Sequence, residues 1–454
     1  LMQQESRLQS FLNNPARAMW SMALPIIAGM MVQTLFNVVD IMFIGWLGAD
    51  EVTAVAFVSP LFFIIIGLTV GLGAGVTASI AQYIGKKDKE NADNCAEHGL
   101  LLGFSITILL TVLGILFGRD LLMILGASGH ILDIAYSYLE ILIFGIGGVV
   151  FSLFFRAILA GEGETKIPMI IGLVGTISNV ILDPIFIFLL DYGVDGAAIA
   201  TVLSQVVMIV MYFFVIFVMK KTFLSFNLNH FRYSPEILRM IFIVGIPSSL
   251  SMLIMSFGQA VMNKILINYS SESVAAYQIV SRIDMLLFMP CLGIAIALTT
   301  IVGMFFGAKE FSKLVWVVKY GISRAVIITS VNVAILFLAA EKILPIFSDN
   351  QEVLSVGITY LKIIVLVYPA VAVSVICARI CQALGKGMPL LIVTTIRVLI
   401  ITAPLSFYFY LIGKPIVWVW YSQVLAVFIA AFISFLFMRF YFKKFGIVGT
   451  VSSS

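Results

Sequence analysis

Apolar runs recur along this chain with a regular spacing. From Met19 to Val39 there is no ionisable side chain at all. A helix needs about 20 apolar residues to cross the hydrocarbon core of a bilayer. Reading for runs of that length predicts twelve segments, near 17–45, 52–81, 96–117, 131–154, 167–190, 195–219, 237–266, 273–304, 314–340, 353–378, 389–411 and 414–438. The expected fold class is all-α: a polytopic membrane protein of twelve transmembrane helices.

Composition and charge sharpen this reading. Hydrophobic residues make up 61% of the 454 and charged residues only 11%, against about 25% charged in a soluble domain. The expected surroundings are the lipid bilayer of the cell membrane, with no nucleic-acid partner. The net charge of +4 says little, but the position of the charges says more. Between successive segments the loops alternate. One set, with the two chain ends, holds Arg7, Arg17, Lys86, Lys87, Lys89, Lys220, Lys221, Lys309, Lys386 and others, nineteen of the 27 Lys and Arg. The opposite set holds four: Arg119, Lys264, Lys342 and Lys414. By the positive-inside rule both termini are expected in the cytoplasm. No cleavable signal peptide is read, because the first apolar run extends far beyond a signal h-region. Cys95, Cys291, Cys377 and Cys381 are scattered through apolar stretches and read as buried free thiols rather than a metal site.

The two halves repeat. A constant offset in numbering, the one that lays Pro25 on Pro247, carries the first half onto the second. It lays Leu24-Pro25 on Ile246-Pro247, Ala54 on Ala276, and Gly85-Lys86-Lys87 on Gly307-Ala308-Lys309. Arg156 to Pro168 (RAILAGEGETKIP) matches Arg379 to Pro389 (RICQALGKGMP) with small slips. Six helices per half is an even number, so both halves enter the membrane from the same side, as a parallel repeat about an axis along the membrane normal. The expected organisation is a first lobe over 1–219, a polar, basic linker over 220–235, a second lobe over 236–446, and an appended tail over 447–454. Internal repeats of this kind mark secondary transporters, which bind at the repeat interface.

The candidate chemistry sits in the first half. Asp40 falls inside the first segment, where a carboxylate costs about 2.5–3.5 kcal/mol on insertion scales. Asp183 falls in the fifth, about eight residues before Asp191. Asn179 is four residues before Asp183 and shares its helix face. Thr201, six residues past Asp195 in the sixth segment, lies at a similar depth. Pro184 removes a helix hydrogen bond and frees a carbonyl near Val180, and Pro25 offers a second hinge below Asp40. Two carboxylates with amide and hydroxyl oxygens suit Na⁺ or a shared proton; the competing reading is a structural network holding three helices together. The same offset puts Met262 opposite Asp40. The offset through the fifth helix, read from Pro168 on Pro389, is one position shorter and puts Pro404 and Ile400 opposite Asp183 and Asn179. The carboxylates therefore belong to one half. Met30, Met31, Gln33, Phe36 and Asn37 precede Asp40, and a Met- and Phe-rich wall re-packs around varied ligands.

With Leu24-Pro25, Asn37 to Asp40 (NVVD), Ala78 to Gly85 (ASIAQYIG), Arg156 to Pro168 and Asn179 to Pro184 (NVILDP), the chain resembles the multidrug and toxic compound extrusion (MATE) transporters over essentially its whole length. Acids in the first half resemble the DinF-like prokaryotic branch. The NorM-like branch carries key carboxylates on its seventh and tenth helices, where this chain has none after Glu352. The resemblance implies two six-helix lobes around a V-shaped cleft, acting as a monomer. It implies an antiporter that exports amphipathic, often cationic drugs or dyes against H⁺ or Na⁺, with no cofactor beyond that ion. It implies Asp40, Asn179, Asp183 and Thr201 as the ion site and Gln33, Asn37 and Tyr138 as cavity lining. A flippase for a lipid-linked precursor is the alternative; it is disfavoured because only Arg282, Arg324, Lys362 and Arg397 are basic inside the predicted helices. An enzyme is not expected: His98, His130 and His230 fall in loops or at helix ends, and no HExxH or GxSxG motif occurs.

Overall fold

A computed structural model describes residues 2–226 and 231–447, except for the side chains of residues 2–6 and Asn37. His230 and residues 448–454 of the expected tail therefore lie outside the described residues. A short helix, α1 (Met2–Asn13), leads into twelve long apolar ones. These are α2 (Pro15–Gly45), α3 (Ala49–Gly85), α4 (Lys89–Ile124), α5 (Gly129–Gly161), α6 (Lys166–Leu189), α7 (Gly193–Val218), α8 (Pro235–Leu266), α9 (Ser271–Gly307), α10 (Phe311–Ile346), α11 (Gln351–Ala383), α12 (Met388–Leu411) and α13 (Val417–Lys444). Each is long and apolar enough to cross a membrane, so the chain is a multi-pass membrane protein.

The helices outrun the apolar runs because their ends are capped rather than merely apolar. Asp88 accepts the Asn91 N–H at 3.1 Å and starts α4 seven residues before the predicted boundary. Ser234 and Ser270 cap α8 and α9 in the same way. As a result His98, read as a loop or helix-end residue, lies inside α4 and is fully buried. Ile447, the first residue of the expected tail, is also fully buried in the core.

The repeat is written into the backbone. Left-handed φ angles follow α3 and α9 at Lys87 (60°) and Lys309 (59°), α5 and α11 at Gly163 (83°) and Gly385 (76°), and α6 and α12 at Asp191 (57°) and Gly413 (67°). All three pairs obey the offset that lays Pro25 on Pro247. The fifth helix thus keeps that offset at both ends and is not one position shorter, so the counterparts of Asp183 and Asn179 become Leu405 and Ile401. Neither is acidic, and the asymmetry stands.

The lobes meet at the basic end of the bundle. There α3 packs on α8 and α9, and α2 packs on α9. Gln82 Nε2 donates to the Ala383 carbonyl (2.7 Å), Gln382 Nε2 to Ser248 Oγ (2.6 Å), and Thr300 Oγ1 to the Ala160 carbonyl (2.8 Å). The described stretches of the linker are tied down on both sides. Phe223 and Leu224 donate their N–H groups to Glu162 Oε2 at 3.0 and 3.2 Å, and Ser234 N–H donates to His98 Nε2 at 3.0 Å.

Candidate functional site

The first lobe brings together most of the polar residues that the sequence singles out. Asn179 Nδ2, on α6, donates to Asp183 Oδ1 at 3.1 Å, as the four-residue spacing requires. Asp183 is fully buried, and Asp40 on α2 is half-buried. Their side chains come within hydrogen-bonding reach of one another across the α2–α6 contact. Two carboxyl groups can share a hydrogen bond only if one carries a proton. Asp40 Oδ1 and Asp183 Oδ2 are buried, and no N–H or hydroxyl of another described residue donates to them.

Pro184 fixes where α6 changes character. The α-helical turns end at this proline, and Ile185–Leu189 continue as a π-helical turn. Such turns are frequent at functional sites. The proline lacks the N–H that a regular helix would use, and the wider turn follows directly. Pro25 is buried within α2, which runs through it without a break.

Other expected residues take different places. Thr201 stands on α7, the sixth of the long helices, as its segment predicts. Its backbone carbonyl accepts the Ser204 hydroxyl at 2.7 Å. Among the described residues its own hydroxyl makes no hydrogen bond to Asp40, Asp183 or Asn179. Tyr138, on α5, is buried in the first-lobe core and within electrostatic reach of both aspartates. It stands beside the pair rather than on an open cavity wall. Met30 and Phe36 are half-buried on α2, Gln33 is exposed, and the side chain of Asn37 lies outside the described residues.

Sequence reading missed a second link near the same end. Ser137 Oγ donates to Asp195 Oδ2 at 2.7 Å, tying α5 to the first turn of α7. Asp195 Oδ1 and Gln205 Oε1 are buried and unpartnered. The signal was available in part, because Asp195 is the first residue of the sixth apolar segment.

At the basic end, Glu162 closes α5 and is 2% exposed. Burial pushes its carboxyl up to about 7, against the opposing pull of Arg7 and the Leu224 and Phe223 N–H groups. Arg7 Nη2 meets Glu164 Oε2 at 3.0 Å, and its Nη1 lies 4.0 Å from Glu162 Oε1. One carboxylate thus touches α1, the α5–α6 turn and the linker.

Comparisons with known proteins bear on the family and the fold. The family model described as MatE matches residues 25–185 and again 247–408, beginning in each lobe at the repeated proline. The chain is 26% identical over 438 residues to the "Probable multidrug resistance protein YoeA" of Bacillus subtilis, covering 94% of both chains. It is 27% identical over 392 residues to the "Probable multidrug resistance protein NorM" of Thermotoga maritima, covering 85% of this chain and 84% of that one. A solved structure described as "MATE in the bent conformation" superposes with a TM-score of 0.92 at 32% identity, covering 98% of this chain and 99% of that one. Another, described as the outward-facing conformation of a multidrug resistance MATE family transporter, superposes with a TM-score of 0.90 at 32% identity, covering 95% of this chain and 96% of that one. With both lobes matched and the twelve-helix fold shared throughout, the chain belongs to the MATE family of membrane transporters.

Proposed function

We propose that this chain is a secondary active antiporter that exports amphipathic, often cationic organic molecules in exchange for H⁺, with Na⁺ as the alternative coupling ion at the same oxygens. The observation that carries this reading is the contact between Asp40 and Asp183. A carboxyl pair in hydrogen-bonding reach, with Asn179 on one side and Tyr138 nearby, is built to take up and release a proton. The relatives' names as multidrug resistance proteins support an efflux role. In this reading the basic end faces the cytoplasm of the cell membrane, and a single chain supplies both walls of the cleft. It is a transporter rather than an enzyme, and a lipid-precursor flippase is not favoured.

The geometry supports a simple cycle. With the lobes sealed at the basic end, a proton arriving from the opposite side neutralises the Asp40–Asp183 pair. Loss of that charge changes how α2 sits against α6, with Pro25 as the hinge and Pro184 as a second. The organic cation then loses its counter-charge and leaves outward. Release of the proton on the cytoplasmic side restores the site. Proteoliposomes carrying the protein test this directly. Ethidium export should be driven by an imposed pH gradient and be absent in Asp40→Asn. Export driven by a Na⁺ gradient alone would reassign the ion, and gradient-driven export retained in Asp40→Asn would overturn the reading.

A further inference from the structure

The second lobe contains the repeat counterpart of the aspartate site, and its polarity is the opposite. The offset that carries Asp40 to Met262 carries Tyr138 to Tyr360 and Thr201 to Gln423. Tyr360 Oη on α11 donates to Gln423 Oε1 on α13 at 3.2 Å. Its ring lies 4.2 Å from that of Trp420, which stacks on Tyr277 of α9 at 6.4 Å with 6° between the planes. Tyr277 is within electrostatic reach of Arg397 on α12. Arg397 belongs to a π-helical stretch, Ile396–Thr402, and makes no ion pair among the described residues. Asp284, the carboxylate of this region, already accepts the Tyr368 hydroxyl.

The unmet groups decide what would fit. In the first lobe the unpartnered atoms include the acceptor oxygens Asp40 Oδ1, Asp183 Oδ2, Asp195 Oδ1 and Gln205 Oε1, beside two hydroxyls, Thr107 Oγ1 and Ser152 Oγ. In the second lobe, Trp420 Nε1 and Gln423 Nε2 are donors without acceptors, and Trp420 is fully buried. A buried donor left unpaired costs about 1–3 kcal/mol. Arg397, within electrostatic reach of Tyr277, adds a positive charge on the neighbouring helix. We propose that this cluster is an anion site: it takes either a small inorganic anion or the carboxylate, sulfonate or phosphate end of a transported molecule. The fully buried indole N–H admits an ion or the tip of a ligand rather than a whole drug. A molecule with charges at both ends could then engage both lobes.

The test uses the full chain in nanodiscs of neutral lipid. Chloride is titrated and followed by chlorine NMR line broadening. A carboxylate-bearing amphipathic dye is titrated beside its methyl ester by fluorescence anisotropy. Saturable chloride binding that Trp420→Phe and Arg397→Gln each weaken at least about tenfold, or about 1.4 kcal/mol, assigns a small-anion site. Binding of the acid but not the ester, with the same sensitivity, assigns the anionic end of a cargo molecule. Gln423→Leu, close in volume, serves where either variant fails to fold. The proposal is overturned if neither probe saturates, or if the folded variants bind as the parent does. Ethidium export by the parent protein is measured in parallel; its failure would count against the antiporter reading and leave the anion result to be judged alone.

Discussion

Gly85 and Gly307 occupy equivalent positions in the two lobes and face each other across the seam at the basic end. A Cβ on Gly307 would lie 3.0 Å from the Gly85 Cα and collide with the Gln82 carbonyl. A Cβ on Gly85 would collide with the carbonyl of Met304, which is itself the repeat counterpart of Gln82. The seam therefore closes backbone against backbone. No flexible side chain is available there to move aside.

Substituting either glycine should bias the molecule away from this closed seam. Overpacking a tight contact costs about 1–3 kcal/mol, which corresponds to a shift of about 5–150-fold between two states. Gly85→Val and Gly307→Val should both open the basic end, and they should do so to a similar extent because the contact is symmetric. Spin-label distances between α3 and α9 at that end provide the measurement. Unchanged distances in both variants would show that the seam can absorb a side chain.

Neutralising the aspartates should separate transport from stability. A carboxylate in the membrane interior costs about 2.5–3.5 kcal/mol, so Asp40→Asn and Asp183→Asn should leave the unfolding midpoint level or raise it. Gradient-driven export should fall to background in both. A variant that loses export only because it unfolds would contradict this, and a thermal scan beside the transport assay distinguishes the two outcomes.

Much of the fold is legible in the sequence, and the reasons are physical. Apolar runs of bilayer length and alternating Lys and Arg identify the spans, since lipid offers no partner for an exposed backbone group. The Asp183–Asn179 bond follows from helix spacing, and the Asp40–Asp183 pairing from shared depth. Depth does not fix azimuth, however, and Thr201, on the helix its segment predicts, makes no hydrogen bond to the pair among the described residues. Tyr138 looks like any core aromatic until the family resemblance singles it out, and even then its burial beside the pair is visible only in three dimensions. Helix α1 escapes detection because it is short, and its buried residues among the described side chains are Leu8, Phe11 and Leu12. Glu162 sits in a turn motif and shows nothing of the linker folded over it. The second-lobe cluster was within reach of the repeat offset, but Tyr360 and Gln423 carry no charge to draw attention.

His98 should prove structural. It is fully buried; its Nε2 accepts the Ser234 N–H at 3.0 Å, so the proton sits on Nδ1, which donates to the Asn94 carbonyl at 2.8 Å. His98→Leu leaves the Ser234 donor at the start of α8 unpaired, at a cost of about 1–3 kcal/mol. His98→Gln, which can still accept, should recover part of that loss. Denaturation midpoints of the two variants check this; equal midpoints would show that the linker anchor contributes nothing.

Glu162 gives a pH dependence with a definite sign. Its folded carboxyl titrates at about 7, above the ordinary value of 4.5, because burial outweighs Arg7 and the Leu224 and Phe223 N–H groups. The folded protein therefore holds this proton more tightly than the unfolded chain does. The resulting stabilisation is fully present below about 4.5 and is lost as the pH rises through about 7. Glu162→Gln keeps an acceptor for the linker N–H groups and removes the titration. Its unfolding midpoint should match the parent's near pH 4.5, and above pH 7 it should be the more stable of the two. The difference between the two curves, measured by scanning fluorimetry across that range, isolates this one group from every other carboxylate. A flat difference would mean that Arg7 and the two N–H groups already offset the burial of the charge.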